Sequence, residues 1–321
     1  MARRRKIPPA LLALLIVLIA AAAYLASGMA ASPAPAGNGS QSNTPASGTN
    51  TSANASAGGT LRIASFNIQV FGQSKRSKPE VMDVLAKTAR QFDIMVVQEL
   101  RDESETTLPF YIESINALPG PEYAAVSGPR LGRTSSKENY AFIYNTETIA
   151  FVPGSDYTFA DPPEGTEADL FQREPLIARF SSKNGAFDFV LITIHTDPDE
   201  TPQELAGLPL VLSDAMGRYG NEADFILLGD MNADCSYLSA SEAASLALRN
   251  SSFTWLVPDD ADTTVKSTDC AYDRIILAGN ATAAYSGEWG IFRFDEEYGL
   301  NQSGAEAVSD HYPVWAVFSS S

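Results

Sequence analysis

Polar residues suited to phosphate chemistry recur where apolar runs of this chain stop. Asn67 follows Ile63 to Phe66, Glu99 follows Ile94 to Gln98, and His195 follows Val190 to Ile194. Asp230 and Asn232 follow Phe225 to Leu228 and Gly229, and Asp310 and His311 stand directly before Tyr312 to Trp315. Residues two apart on an extended chain point the same way, so Asp230 and Asn232 project together from a strand end. An anionic oxygen beside an amide suits a divalent cation or a phosphate intermediate. His195 and His311 are the two histidines of the chain, and imidazoles among carboxylates allow acid–base work near neutral pH. Each needs an orienting carboxylate; Glu138, Asp273 and Asp310 are the candidates. Singly, any of these residues could be a turn former or a solvated loop residue. Their joint recurrence is what argues for a site. A zinc site of two histidines and a carboxylate is a competing reading, but no HExxH or CxxC spacing supports it. GxSxG and Walker-type loops are absent, which argues against nucleophilic-serine and P-loop chemistry.

The elements that must hold these residues are short apolar strands, at 61–67, 93–98, 123–126, 140–144, 148–152, 176–180, 187–195, 223–229, 272–278 and 312–318. Val81, Val84, Leu85, Thr88, Ala89 and Phe92 follow helical spacing, which predicts a helix over 79–91. Further helices are expected at 104–118, 202–219 and 240–248. This is neither strict βαβ alternation nor an all-β pattern. It implies one α/β domain of stacked sheets with helices outside, and strand ends that share a rim would bring the polar residues together.

The chain has 321 residues and a net charge of −17. Four of its 22 basic residues, Arg3, Arg4, Arg5 and Lys6, precede Thr60, leaving 18 against 39 acidic residues, a net −21. Such a domain repels a polyanion unless metal ions or local arginines offset the field. The basic cluster followed by the apolar run Ala10 to Ala26 reads as a signal peptide or a membrane anchor over 1–31. Residues 32–59, nearly all Ser, Thr, Asn, Gly, Ala, Pro and Gln, read as a flexible tether. The folded domain is expected over 60–321.

The stretches LRIASFNIQVFG, DIMVVQELRD, LGRTSSKENYAF, FQREPL, GDMNADCSY, PDDADTTVKSTDCAYDRI and SDHYPV resemble the deoxyribonuclease I branch of the endonuclease/exonuclease/phosphatase superfamily. The resemblance runs from about Leu61 to Phe318. It implies a four-layer sandwich, two packed mixed β-sheets flanked by helices, and metal-dependent hydrolysis of phosphodiesters in double-stranded DNA, leaving 5′-phosphates; export is expected from the leader. By motif, His195 would be the general acid with Glu138 orienting it, and His311 the general base with Asp273 beside it. Glu99 would hold a catalytic Mg²⁺ or Mn²⁺. Asn67, Asp230, Asn232 and Asp310 would bind the scissile phosphate or the metal, and Arg101, Arg173 and Tyr237 the DNA. Two structural Ca²⁺ sites are implied, one at Asp262, Thr264, Lys266 and Thr268 and one at Asp161, Asp169, Phe171 and Glu174. A disulfide between Cys235 and Cys270 is implied too; two free buried cysteines are the lesser alternative. There are departures. Gln69 stands where the family has an arginine, and Ser136 where it has a groove-stacking tyrosine, so looser duplex binding or an altered sequence preference is expected, with the chemistry retained. Actin binding is not carried over, and a monomer is expected. Other readings are another phosphodiesterase of the superfamily, such as a sphingomyelinase or abasic-site nuclease, and a catalytically silent surface DNA-binding module.

Overall fold

The computed structural model describes residues 59–161 and 169–321. The leader and nearly all of the tether read in the sequence lie outside these residues. Among the described residues no helix is long and apolar enough to cross a membrane.

Two sheets form the centre. The six-stranded sheet is built from β1 (Thr60–Phe71), β2 (Ile94–Leu100), β3 (Tyr123–Ser127), β4 (Asn139–Asn145), β12 (Tyr285–Ile291) and β13 (Val314–Ser319), in the order β12-β13-β1-β2-β4-β3. The seven-stranded sheet takes β5 (Ile149–Phe151), β6 (Tyr157–Thr158), β7 (Leu176–Ser182), β8 (Asp188–Thr193), β9 (Asp224–Asp230), β10 (Phe253–Trp255) and β11 (Asp273–Gly279). Its order is β10-β11-β9-β8-β7-β5, with β6 also on β7. Both sheets are mixed: β1 and β2 are parallel, as are β8 and β9, and the other pairs are antiparallel.

Alternate residues of each strand enter different layers, as the two-residue period requires. Ile63, Val96, Phe142, Phe180, Leu191, Ile226 and Ile275 pack between the sheets. Ala64, Met95 and Val97 face the helix α2 (Pro79–Ala89), which turns Val81, Val84 and Leu85 toward them. Pro79 at its first turn costs no hydrogen bond and presets the helical φ. On the far side Val190, Ile192, Phe225 and Leu227 meet Leu205, Leu208, Val211 and Leu212 of α4 (Thr201–Arg218). Helix, sheet, sheet and helix thus make four layers. Central strands buried on both faces read as continuous apolar runs, which is why they stand out in the sequence.

The helix expected over 104–118 is shorter, α3 at Thr107–Asn116. Asp102 accepts from the Ser104, Thr106 and Thr107 amides and holds the preceding residues in a turn. The helix expected over 240–248 stops at Ser245 and continues as a short 3₁₀ turn, Ala247–Arg249.

Two tight points set the strand ends. Cys235 and Cys270 form a disulfide that ties the loop after β9 to the loop before β11. Gly229 has a φ of +155°, and a Cβ there would lie 1.8 Å from the Ile194 carbonyl oxygen. Gly229→Ala is therefore expected to lower stability by about 3 kcal/mol or more in urea denaturation; an unchanged midpoint would mean that β8 and β9 can separate freely.

Candidate active site

Two bulges aim the site residues. The β1–β2 ladder slips between Asn67 and Phe71, and the β2–β4 ladder between Val97 and Leu100. Gln69, Val70 and Glu99 take φ values of 35°, 51° and 62° there, and Asn232 takes 45°. Bulges turn a side chain out of the sheet's alternation, and side chains other than glycine rarely enter this region. Local hydrogen bonds hold the conformation: Gln69 N–H donates to Asn67 Oδ1 (2.8 Å), Val70 N–H to Glu99 Oε2 (2.7 Å) and Asn232 N–H to Asp230 Oδ1 (3.1 Å).

The centre is Asp230 Oδ2. Asn67 Nδ2 donates to it at 2.9 Å. His195 Nε2 faces it at 3.4 Å and His311 Nε2 at 3.5 Å. Each imidazole is held from behind: His195 Nδ1 lies 2.7 Å from Glu138 Oε1, and His311 Nδ1 lies 2.8 Å from Asp273 Oδ2. A carboxylate only accepts, so both Nδ1 atoms carry hydrogen and both Nε2 atoms face the cavity. Of the three carboxylates that the sequence left open as partners, Asp310 is the one unused in this role; its Oδ2 accepts from Gln69 Nε2 (2.8 Å) and pairs with Lys266 Nζ (3.1 Å). Each pair joins the two sheets. Glu138 precedes β4 and His195 follows β8; Asp273 opens β11, directly opposite Asp230 in the ladder, and His311 precedes β13.

Burial by itself would push both imidazoles down. For His311 the Asp273 and Asp230 carboxylates outweigh it and raise it to about 10; for His195, Glu138 has the larger share of a rise in the same direction. Burial raises Asp230, but the two imidazoles reverse this and hold it below its usual value. Burial pushes Asp273 up, while His311 pulls it the other way. We place the proton on His311, because Asp273 Oδ2 also accepts from Thr263 Oγ1 at 2.8 Å, a bond that favours the anion.

Glu99 is buried beside this centre. Its Oε1 accepts from Asn67 Nδ2 (3.2 Å), and its Oε2 pairs with Arg101 at 3.0 Å. Arg101 also reaches Glu138 (3.5 Å) and donates to Ser136 Oγ (3.1 Å). It therefore bridges two site carboxylates while remaining partly exposed. Tyr237 packs against Tyr272 with the rings tilted and 5.3 Å between centres, and Tyr272 lies 6.1 Å from the His311 ring. Arg173 requires a correction. Expected on the DNA-facing surface, it is buried behind His195, donating to the His195 and Thr196 carbonyls at 2.9 and 3.1 Å and standing 3.4 Å from Glu138. It braces the His195 pair from inside.

The donors around Asp230 fit a divalent cation. Asp230, Asp273 and His311 place a ligand atom each within 4.8 Å of one another, and buried Asp273 Oδ1 has no hydrogen-bond partner. Glu99 and Asn67 add hard oxygens on the adjoining wall. The loop at Asp262 runs beside His311: Thr264 bridges to His311, and Asp262 Oδ1 accepts from the Thr264 N–H and Oγ1 (3.0 and 2.8 Å). Thr264 Oγ1 also meets the Thr268 carbonyl. Lys266 turns its ammonium to Asp310, leaving only its backbone for a cation in the loop. In the second loop Asp161 accepts from the Leu170 and Phe171 amides, and burial, with Asp169 and Glu174 adding to it, pushes its carboxyl up to about 6. Arg133 stands 3.8 Å from Asp169, and carboxylate oxygens gathered this closely suit a bound cation as well.

Sequence reasoning did not single out Ser309, Thr263 or Tyr140. Ser309 Oγ donates to the Asn67 carbonyl (2.7 Å) and accepts from His311 N–H (3.1 Å). The Tyr140 hydroxyl accepts from His195 N–H at 3.0 Å. All three act through backbone or behind another side chain, and only their closeness in sequence to motif residues could have flagged them.

The Endonuclease/Exonuclease/phosphatase family pattern matches residues 64–311. Deoxyribonuclease-1 of Gallus gallus is 39% identical over 259 residues, 79% of this chain and 91% of that relative. Deoxyribonuclease-1 of Mus musculus is 40% identical over 260 residues, 80% of this chain and 90% of the relative. Among solved structures, an endonuclease/exonuclease/phosphatase family protein from Leptotrichia buccalis has a TM-score of 0.56 at 17% identity, covering 80% of this chain and 98% of that one. At that identity the likeness concerns the fold alone.

The raised imidazole has a consequence for stability. A histidine whose proton is held more tightly in the folded state stabilises that state fully below its ordinary value of 6.5, and the contribution fades as pH rises through the folded value, about 10 for His311. In EDTA, the melting-temperature gap between the protein and His311→Gln is expected to be widest near pH 6 and to close by about pH 10. A gap that stays constant over that range would remove the proton from His311.

Proposed function

The chain belongs to the endonuclease/exonuclease/phosphatase family, among the relatives of deoxyribonuclease I, and on that premise we propose that it is an exported, divalent-metal-dependent endodeoxyribonuclease that cuts double-stranded DNA to 5′-phosphate products. The observation that carries this reading is the pair of carboxylate-backed imidazoles that open on one Asp230 oxygen from two directions. Phosphodiester hydrolysis needs a base on the attacking water and an acid on the leaving oxygen, in line across the phosphorus. His311 Nε2 would take the water's proton, with Asp273 stabilising the imidazolium. His195 Nε2 would protonate the leaving oxygen, with Glu138, Arg173 and Tyr140 fixing the ring. Asn67, Asn232 and Asp310 would orient the phosphate. A Mg²⁺ or Mn²⁺ held by Glu99 with Asp230 and Asn67 would supply Lewis-acid neutralisation of phosphate charge and offset the carboxylates that raise His311.

The proposed DNA face is Arg101 and Tyr237 around this opening. Arg101 remains partly exposed, and an arginine suits phosphates and a narrow groove. Gln69 is engaged with Asp310 and Ser136 with Arg101, so neither supplies the charge or stacking of the family's usual residues, and a weakly held duplex follows. Structural Ca²⁺ in the Asp262 and Asp161 loops is part of the proposal, supported by their oxygen-rich geometry. Export is supported by the basic-then-apolar start of the sequence and by the disulfide, which persists in oxidising compartments.

Relaxation of supercoiled plasmid tests the reading. Nicking is expected with Mg²⁺ plus Ca²⁺ and none in EDTA, and His195→Ala and His311→Ala are each expected to lower the rate by about 10²–10⁴-fold. Folded protein that nicks under no metal condition would overturn it, and turnover of sphingomyelin in place of DNA would move the chain to another substrate class.

A further inference from the structure

Lys75 is a buried lysine that the proposed chemistry does not use. It lies in the short helix α1 (Gln73–Arg76) and is 8% exposed. Its Nζ donates to the Ile68 carbonyl at 2.9 Å and to the Val308 carbonyl at 2.7 Å. Both acceptors lack ordinary backbone partners for a structural reason. Ile68 lies where the β1–β2 ladder is broken, between Asn67 and Phe71. Val308 is the last residue of α8 (Gln302–Val308), where helical carbonyls run out of donors. An ammonium can serve both at once, and its charge suits a helix C-terminus.

These two carbonyls belong to the two segments that build the site. Gln69 and Val70, directly after Ile68, take positive φ, and Val70 N–H holds Glu99. Ser309, Asp310 and His311 directly follow Val308. Two other bonds cross the same seam, Ser309 Oγ to the Asn67 carbonyl and Gln69 Nε2 to Asp310. Lys75 is the one cationic donor of this set. Burial pushes its ammonium down to about 8, against the pull of the Asp310 and Glu99 carboxylates.

We infer that Lys75 is a positioning residue: its ammonium locks the β1 bulge, which aims Asn67 and holds Glu99, to the segment that carries Asp310 and His311. It touches none of these side chains and acts through two carbonyls. The turnover readout rests on the nuclease reading above; the backbone readout does not.

The test compares the full chain with Lys75→Met, Lys75→Gln and Lys87→Met. Lys87 lies on the exposed face of α2, paired with Asp83, and controls for loss of one charge. Hydrogen–deuterium exchange is followed in peptides covering 67–72 and 308–312, with plasmid kcat and KM beside it. In Lys75→Met, exchange is expected to rise in both segments and to stay unchanged in β9. Plasmid kcat is expected to fall on the order of 10- to 100-fold with KM within about twofold, and Lys87→Met to match the parent. If Lys75→Met does not fold, Lys75→Gln is judged by the same criteria. Unchanged exchange in the two segments, or a folded variant with parental kcat, overturns the inference. So does failure of both Lys75 variants to fold, which would assign the lysine to the fold alone. A parent chain that cuts no DNA counts against the nuclease reading, and the exchange data then decide the clamp without it.

Discussion

A single buried anion sets the terms for this structure. Asp230 is 2% exposed, and an ionised carboxylate in that position is costly unless it is paired and hydrogen-bonded. Asn67 from the neighbouring sheet donates to it, and the two imidazoles face the same oxygen. Those imidazoles bring their own carboxylates, Glu138 and Asp273, which in turn draw Arg173, Arg101 and Thr263. The polar core thus grows outward from Asp230, each added charge compensated by the next. Most of its members sit in or directly beside the ends of strands, whose pairing fixes where they meet.

Backbone strain is concentrated in the same place. Among the described residues, six other than glycine have positive φ; four of them, Gln69, Val70, Glu99 and Asn232, line the site, and a fifth, Cys235, is in the disulfide beside it. Such conformations persist when the surroundings over-determine them. Here the side chains of Asn67, Glu99 and Asp230 accept from the strained amides, so the groups that need the strain also stabilise it. Regular strands would have turned Glu99 back into a layer of the core.

The layered fold was legible in the sequence because central strands buried on both faces leave unbroken apolar runs. Tyr285–Ile291 was not, since this edge strand carries Ser286, Gly287 and Glu288, all exposed. The polar residues at the strand ends were legible as types, and the resemblance supplied their pairing. Their pairing could not be read from spacing, because Glu138 and His195 are 57 positions apart and Asp273 and His311 are 38. Arg173 shows a different limit. An arginine in a motif looks the same whether it faces a phosphate or two carbonyls, and only packing decides. Ser309, Thr263 and Lys75 were silent for a related reason: each works on main-chain atoms or from behind a partner, and sequence types carry no trace of that.

Each histidine and its carboxylate come from opposite sheets, and the two pairs cross in opposite senses. The arrangement works as a caliper spanning the sandwich. A slide of one sheet over the other by a fraction of an ångström would lengthen both charge-assisted bonds together, long before the apolar interior between Phe142 and Phe180 came apart. Competence at the rim is therefore a gauge of interlayer alignment. Substitutions deep in the sandwich, out of reach of any phosphate, would register first as misaligned imidazoles and only later as a loosened fold.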